Sequence, residues 1–360
     1  MSKDPRAILR TWVVSGSLPP PENASDARRL IQEAREQGVA GLLHNQVAAA
    51  SWPAETLDEL RSVHHALLAR GVGQLDLARR VHRILMERGL RSLPLKGAAL
   101  AERVYPTVAE RPMSDVDVLA LDDWAASLAA LRDHGFLERE RGDHAWSLVD
   151  PVTGGLLELH HGLTSCAGFF AVDPEGLWAR SLSAAGQVPR LPSAEDLLVH
   201  LALHAAFQHG FVVSLVQYLD FRRLLSLAPP DPDLLHEVAA RTRAEEAVAW
   251  TLRVAELVVQ APLSSRLKGL FPTRRAPWRP LAQGLRDPMS FLSPAVPELA
   301  SARWGLAAGR RIELVRRTLR PVPATSTRGQ SVLGRALSLA RRWAWPAMQA
   351  RMPGARSRAG

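Results

Sequence analysis

Residues 93 to 121 leave this chain few ways to fold. Leu93, Pro94 and Leu95 make a short apolar run that ends at Lys96 and Gly97, and Ala98 to Tyr105 is a helix-forming stretch. An Arg111-Pro112 loop then leads into a second apolar run that carries Asp115 and Asp117. The order reads as strand, glycine turn, helix and acid-bearing strand. Val116, Val118, Leu119 and Leu121 are strand formers, and side chains alternate faces along a strand, so Asp115 and Asp117 project from one side. Two carboxylates aimed at one spot on an apolar strand repel each other and resist desolvation unless something positive lies between them. A hard divalent cation with oxygen ligands, Mg²⁺ or Mn²⁺, is the expected companion. The plainer origin of an Asp-x-Asp pair is a solvated loop or strand face.

The first half of the stretch supplies what such a metal serves. Gly97 lets the backbone approach a ligand, and a helix starting at Ala98 presents N–H groups and the positive end of its dipole to an anion. Lys96 adds a point charge, and Arg111 a planar fork for phosphate oxygens. Taken singly, Lys-Gly marks only a turn. In this order, these residues point to a phosphate held beside a metal.

At these residues the chain resembles the uncharacterised nucleotidyltransferases of the polymerase-β-like superfamily. The resemblance lies in Leu95-Lys96-Gly97-Ala98-Ala99-Leu100, Tyr105-Pro106, Arg111-Pro112-Met113-Ser114-Asp115-Val116-Asp117-Val118-Leu119 and Leu157-Glu158-Leu159-His160, and runs more loosely to about residue 228. The wider superfamily has Gly-Gly or Gly-Ser closer to the acidic pair. Here it is Lys-Gly, and Ser114 stands where glycine is common. The resemblance implies an α+β fold, with a polymerase-β-like nucleotidyltransferase core of mixed sheet and helices between N-terminal and C-terminal helical regions. It also implies transfer of a nucleoside monophosphate from a nucleoside triphosphate (NTP). Nucleotide contacts fall on Lys96, Gly97, Arg111 and Ser114, and metal and catalytic roles on Asp115, Asp117 and a third acid.

That third acid is expected on a returning strand. His144 to Val149 alternates in strand fashion, the turn Asp150 to Gly155 reverses the chain, and Leu156 to Leu163 pairs back as a hairpin. Glu158 and His160 share one face of it. By resemblance, Glu158 completes a triad that binds a second metal or takes the proton from the attacking hydroxyl; otherwise it is a solvent-facing strand residue. Upstream, Asp122 and Asp123 cap a helix from Trp124 to His134.

Four segments follow from these patterns: a helical lead-in over 1–90, the catalytic core over 91–190, a helical acceptor-side bundle over 191–262, and a Pro/Arg-rich basic extension over 263–360. In the lead-in, helices over 27–48, 57–68 and 75–90 pack on the catalytic sheet, with Asn23 and Ser25 as candidate caps. Arg70, Arg79, Arg80, Arg83 and Arg88 read as a solvated face. In the bundle, a helix from Ser193 to about Gln208 carries His200 and His204 at i, i+4, with His209 just beyond. Zinc ligation, an acceptor pocket or plain packing are all open to these histidines, although the Glu of a His-Glu-x-x-His protease is missing. By resemblance His160, His204 and Asp220 line the acceptor pocket. The plainer reading of Asp220 is a surface pair with Arg223.

The net charge of +9 belongs to the tail. Residues 301–360 hold thirteen arginines and one acid, Glu313, while the first 300 residues sum to −3. A basic amphipathic helix over 331–345 suits an anionic membrane, a nucleic acid, a partner protein or plain solvation. The only cysteine, Cys166, precludes an internal disulfide and a cysteine-rich zinc site. The start shows no signal-peptide pattern and no run spans a bilayer, so a cytoplasmic location is expected. The function expected is Mg²⁺-dependent transfer of a nucleoside monophosphate from an NTP to a hydroxyl or phosphate of a small-molecule, peptide or protein acceptor. The resemblance points weakly to natural-product or polysaccharide assembly as its setting. The competing readings are a non-catalytic nucleotide-binding regulator or antitoxin, and a basic adaptor working through the tail.

Overall fold

The structure is a computed structural model that describes residues 4–47, 52–142, 144–164, 170–183, 189–273 and 279–292. The basic helix expected over 331–345, the membrane or nucleic-acid contact through 301–360, and Cys166 lie outside the described residues.

The chain opens with α1 (Pro5–Ser15), which the Asp4 carboxylate caps and the left-handed Gly16 ends, and α2 (Ala24–Glu36), which Asn23 caps. Gly38, with φ of +71°, breaks the pattern expected to run through residue 48, so a separate α3 (Ala40–Gln46) follows. The two helices expected over 57–68 and 75–90 are instead one helix, α4 (Ala54–Glu87). Gly71 does not interrupt it, because the missing side chain admits Val108: a Cβ there would lie 2.5 Å from Val108 Cγ2. Tertiary packing of Leu60, Leu77, Val81 and Leu85 outweighs the propensity cost of glycine.

The sheet region holds β1 (Ser92–Pro94), α5 (Lys96–Arg103), β2 (Val116–Ala120), α6 (Trp124–Asp133), β3 (Leu137–Arg141), β4 (Ala145–Val149) and β5 (Leu156–His160). Its order is β1-β2-β5-β4-β3, with β2 and β5 parallel and every other pair antiparallel. Beyond it come α7 (Pro174–Arg180), α8 (Ala194–Leu203) running into a π-turn over His204–Gln208, α9 (Leu215–Leu227), α10 (Pro232–Thr242), α11 (Glu245–Val259), α12 (Ser265–Leu270) and α13 (Arg279–Gly284). This is the expected α+β arrangement of a mixed sheet flanked by helices.

Two cores divide the molecule. Val116, Val118, Trp146, Leu148, Leu157 and Leu159 turn one sheet face toward α4 and α6. Leu93 and Leu119 turn the other face toward a larger core shared by α1 to α3 and α8 to α11. The expectation that the N-terminal helices pack on the sheet therefore holds for α4 alone. The others join the C-terminal bundle, where Gln37 Oε1 accepts from the Leu215 amide and Arg10 donates to the Leu257 carbonyl. The proline-rich start of the extension also joins that core through Leu267, Phe271, Leu281 and Phe291. Pro288 opens the short turn that seats Phe291, at a position where the missing N–H costs nothing. No helix among the described residues is long and apolar enough to cross a membrane.

The β4–β5 hairpin is locked at its turn. The fully buried Asp150 carboxylate accepts both terminal nitrogens of Arg80 (2.9 and 2.5 Å), the Thr153 hydroxyl and the Val152 and Thr153 amides. Arg80 is thus a tether from α4 to the sheet, not part of a solvated face. Burial works to raise the Asp150 pKa, but the Arg80 pair and these donors outweigh it and hold the pKa down to about 2 against an ordinary 3.8. A depressed folded pKa contributes stability above the unfolded value that is lost as the pH falls through the folded one. Asp150→Ala should cost about 2 kcal/mol near neutrality, a difference that shrinks toward pH 2. Denaturant melts of both proteins across that range check it.

Candidate active site

The site begins with the register between two strands. In the parallel β2–β5 pair, Asp117 lies directly opposite Glu158, and Leu119 opposite His160. Side chains opposite each other share a face, so both acids and His160 point toward the helical bundle. Ligand atoms of Asp117, Glu158 and His160 all lie within 4.8 Å of one another.

Lys96 and His160 complete the cluster. Lys96 Nζ donates to Asp117 Oδ1 at 2.7 Å, and His160 Nε2 meets the same oxygen at 2.8 Å while lying 3.5 Å from Glu158. His160 Nδ1 faces the Gly162 carbonyl at 3.4 Å, so acceptors surround both ring nitrogens and the ring is suited to carry two protons. Burial would lower the His160 pKa, but the bonds to Asp117 and Glu158 prevail and raise it. Burial opposes ionisation of Asp117, yet Lys96 and His160 hold its carboxyl well below the usual range. The His160 bond likewise depresses Glu158.

Asp115 sits just before β2, half-buried, and accepts the Ser114 hydroxyl at 2.9 Å. Burial, and then the charge on Asp117, push its pKa up. Three carboxylates thus crowd two cations, and a dication would relieve the repulsion that Asp115 feels. Two of the three groups close enough to share an ion are carboxylates, with His160 the third, and such hard oxygen donors suit Mg²⁺ or Mn²⁺.

The Lys-Gly turn differs from its expected form. Lys96, not Gly97, takes the left-handed backbone, with φ of +43°, and opens α5. A non-glycine residue there is strained, and the buried ion pair with Asp117 holds it. Gly97 spares room for a neighbour: a Cβ would lie 2.5 Å from Met113 Cγ. No side chain among the described residues caps α5, so its first amides have no side-chain acceptor there. The loop bearing Ser114 is held from α4, where Gln74 donates to the Met113 carbonyl (2.9 Å) and Arg70 to that of Ser114 (3.2 Å).

Two residues assigned to ligands turn inward. Arg111 does not offer its fork to solvent: Nε and Nη2 clasp Asp220, each at 2.7 Å, and Nη1 donates to the Pro112 carbonyl. Asp220 is fully buried against Arg111 and the Tyr105 hydroxyl, so it neither lines an open wall nor pairs with Arg223, which binds Glu110 instead. His160 lies at the floor of the cluster with no exposure. His204 is half-buried, bonded to Gln208 and 6.4 Å from the His200 ring. Asp123 caps α6 as expected, but Asp122 is taken by Arg91. The His160 bridge was open to sequence reasoning, since it shares a strand face with Glu158. The Gln74 and Arg70 tethers carried no signal there.

A family profile points the same way as the cluster. The profile of a family described as uncharacterised nucleotidyltransferase matches residues 23–260, well over half of the chain. No curated protein matches it. Among solved structures, the solution structure of the antibiotic-resistance factor ANT(2'')-Ia is 16% identical with a TM-score of 0.36, over 49% of this chain and 94% of that one. ANT(2'')-Ia in a crystal complex with adenylyl-2''-tobramycin is 15% identical with a TM-score of 0.35, over 48% and 97%. An antigenic nucleotidyltransferase-like protein from Paracoccidioides brasiliensis is 18% identical with a TM-score of 0.32, over 55% and 97%. With its family profile spanning the sheet, the acid-bearing strands and the bundle, the chain belongs to the uncharacterised nucleotidyltransferase family.

Proposed function

We propose that this nucleotidyltransferase moves a nucleoside monophosphate from an NTP to an oxygen of an acceptor molecule, releasing pyrophosphate. The observation that carries the reading is the parallel register that sets Asp117 beside Glu158, with Lys96 on the same oxygen as His160. Asp115, Asp117 and Glu158 are the residues that would hold Mg²⁺ or Mn²⁺, which bound there neutralises phosphate charge and acidifies the attacking hydroxyl. Lys96 and the uncapped start of α5 at Gly97 receive the phosphates, with Ser114 at the loop edge. Glu158, the more open of the paired acids at 29% side-chain exposure, takes the acceptor's proton. His160 orients both acids from below. Arg111, joined to Asp220, anchors the loop. His204 stands on the acceptor side.

The retained cluster favours catalysis over a non-catalytic regulator, since a binding module has no chemical need for three carboxylates against two buried cations. Incubation of the protein with each α-labelled NTP, Mg²⁺ and an extract of the producing cells should place label on one class of molecule and release pyrophosphate. Binding of nucleotide with no pyrophosphate release from any of the four would defeat this reading.

A further inference from the structure

Beside the acidic cluster, on α8, His200 is buried to 1% exposure, and neither ring nitrogen has a hydrogen-bond partner among the described residues. Its ring meets His160 edge-on at 6.4 Å and His204 at 6.4 Å, so it stands between the floor of the site and the half-buried acceptor side. A buried imidazole with two unmet nitrogens costs free energy that simple packing would avoid with an aliphatic side chain, as at the flanking Val199 and Leu201. The helix also changes hydrogen-bonding just beyond it, in the π-turn over His204–Gln208, a distortion common where side chains are re-aimed at ligands.

From this geometry we propose that His200 touches the acceptor, and that the group it receives is an uncharged hydroxyl, not a phosphate. The proposal rests on the nucleotidyl-transfer reading above and narrows it. The nitrogen that a neutral imidazole turns to the acceptor carries its proton there and donates to the hydroxyl oxygen, which leaves the hydroxyl's own proton free for Glu158. A phosphate monoester at neutral pH brings about two negative charges, which a single uncharged N–H donor does not offset. His200 cannot answer with charge of its own, since it is buried among Val199, Leu201 and Leu203 with the Lys96 ammonium nearby. Burial, followed by Lys96 and His160, pushes its pKa well down. In the transfer, the acceptor oxygen bonds to the α-phosphorus while the bond to the bridging oxygen breaks. Pyrophosphate leaves with that electron pair, and the hydroxyl proton passes to Glu158.

The test compares wild type, His200→Leu and His200→Gln with α-labelled NTP, Mg²⁺ and cell extract. Melting temperature is measured with and without NTP and Mg²⁺, and the phosphorus resonance of the product is recorded. Expected are a phosphodiester product, at least a tenfold loss of labelling in His200→Leu, partial recovery in His200→Gln, and an unchanged nucleotide-induced thermal shift in both, about the effect of one buried hydrogen bond. A folded His200→Leu that labels like wild type overturns the role of His200. An anhydride product, with its coupled phosphorus pair, overturns the hydroxyl. Should wild type transfer nothing from any NTP, the underlying nucleotidyl-transfer reading falls first and takes this one with it.

Discussion

Asp117→Ala is expected to lose transfer activity by about a thousandfold or more while the protein still folds. Asp117 Oδ1 is the one oxygen that both Lys96 and His160 share, and it stands opposite Glu158 across the strands. In the proposed mechanism, removing it takes away a carboxylate that would hold the metal and the anchor that would aim Lys96 at the phosphates. The fold should survive on grounds of charge. Wild type sets three carboxylates against Lys96 and His160, a net negative cluster, whereas the variant leaves Asp115 and Glu158 against the same two cations. Its neighbours on β2, Val116 and Val118, are fully buried in the opposite core and do not depend on it. Labelled transfer, the thermal shift with NTP and Mg²⁺, and the melting temperature of the free protein separate the outcomes. Normal turnover in a folded Asp117→Ala protein would remove Asp117 from the chemistry.

Much of this was legible because it follows from alternation and local punctuation. Asp117 on an apolar strand, Glu158 and His160 two apart on a returning one, the Asp150 to Gly155 turn and the Asn23 and Asp123 caps are all short-range patterns. What escaped was long-range. Parallel pairing of β2 with β5 brings together residues about forty positions apart around an intervening helix and two strands, and no local signal announces that register. Arg111 finds Asp220 across 109 positions, so a guanidinium beside residues expected to bind phosphate looked outward in sequence and is turned inward by the bundle. Gly97 misled for a related reason: it is small because Met113 lies against it, as Val108 lies against Gly71, not because the chain turns there. Lys96 shows the reverse, a left-handed residue at a position where glycine would be easier, tolerated because Asp117 fixes its side chain.

The largest effect on stability should come from Asp220→Ala. Arg111 and Asp220 are 8% and 0% exposed at their side chains and bonded through two parallel contacts, and the Tyr105 hydroxyl adds a third to the same carboxylate at 2.7 Å. Burial works to raise the Asp220 pKa, and it prevails although Arg111 and Tyr105 oppose it. The pair is therefore held at a desolvation cost, and removing one member strands a cation that cannot neutralise itself. Loss of about 3–5 kcal/mol is expected, seen as a lowered denaturant midpoint with an unchanged slope. The double variant Arg111→Met/Asp220→Leu removes both charges in similar volume and should recover most of that loss. It also separates two roles for Arg111. If the residue serves only to anchor the loop ahead of Ser114 and Asp115, the restored fold brings transfer activity back to within several-fold of wild type. If its guanidinium touches phosphate during turnover, the double variant will be stable and still inactive, with a weakened response to NTP.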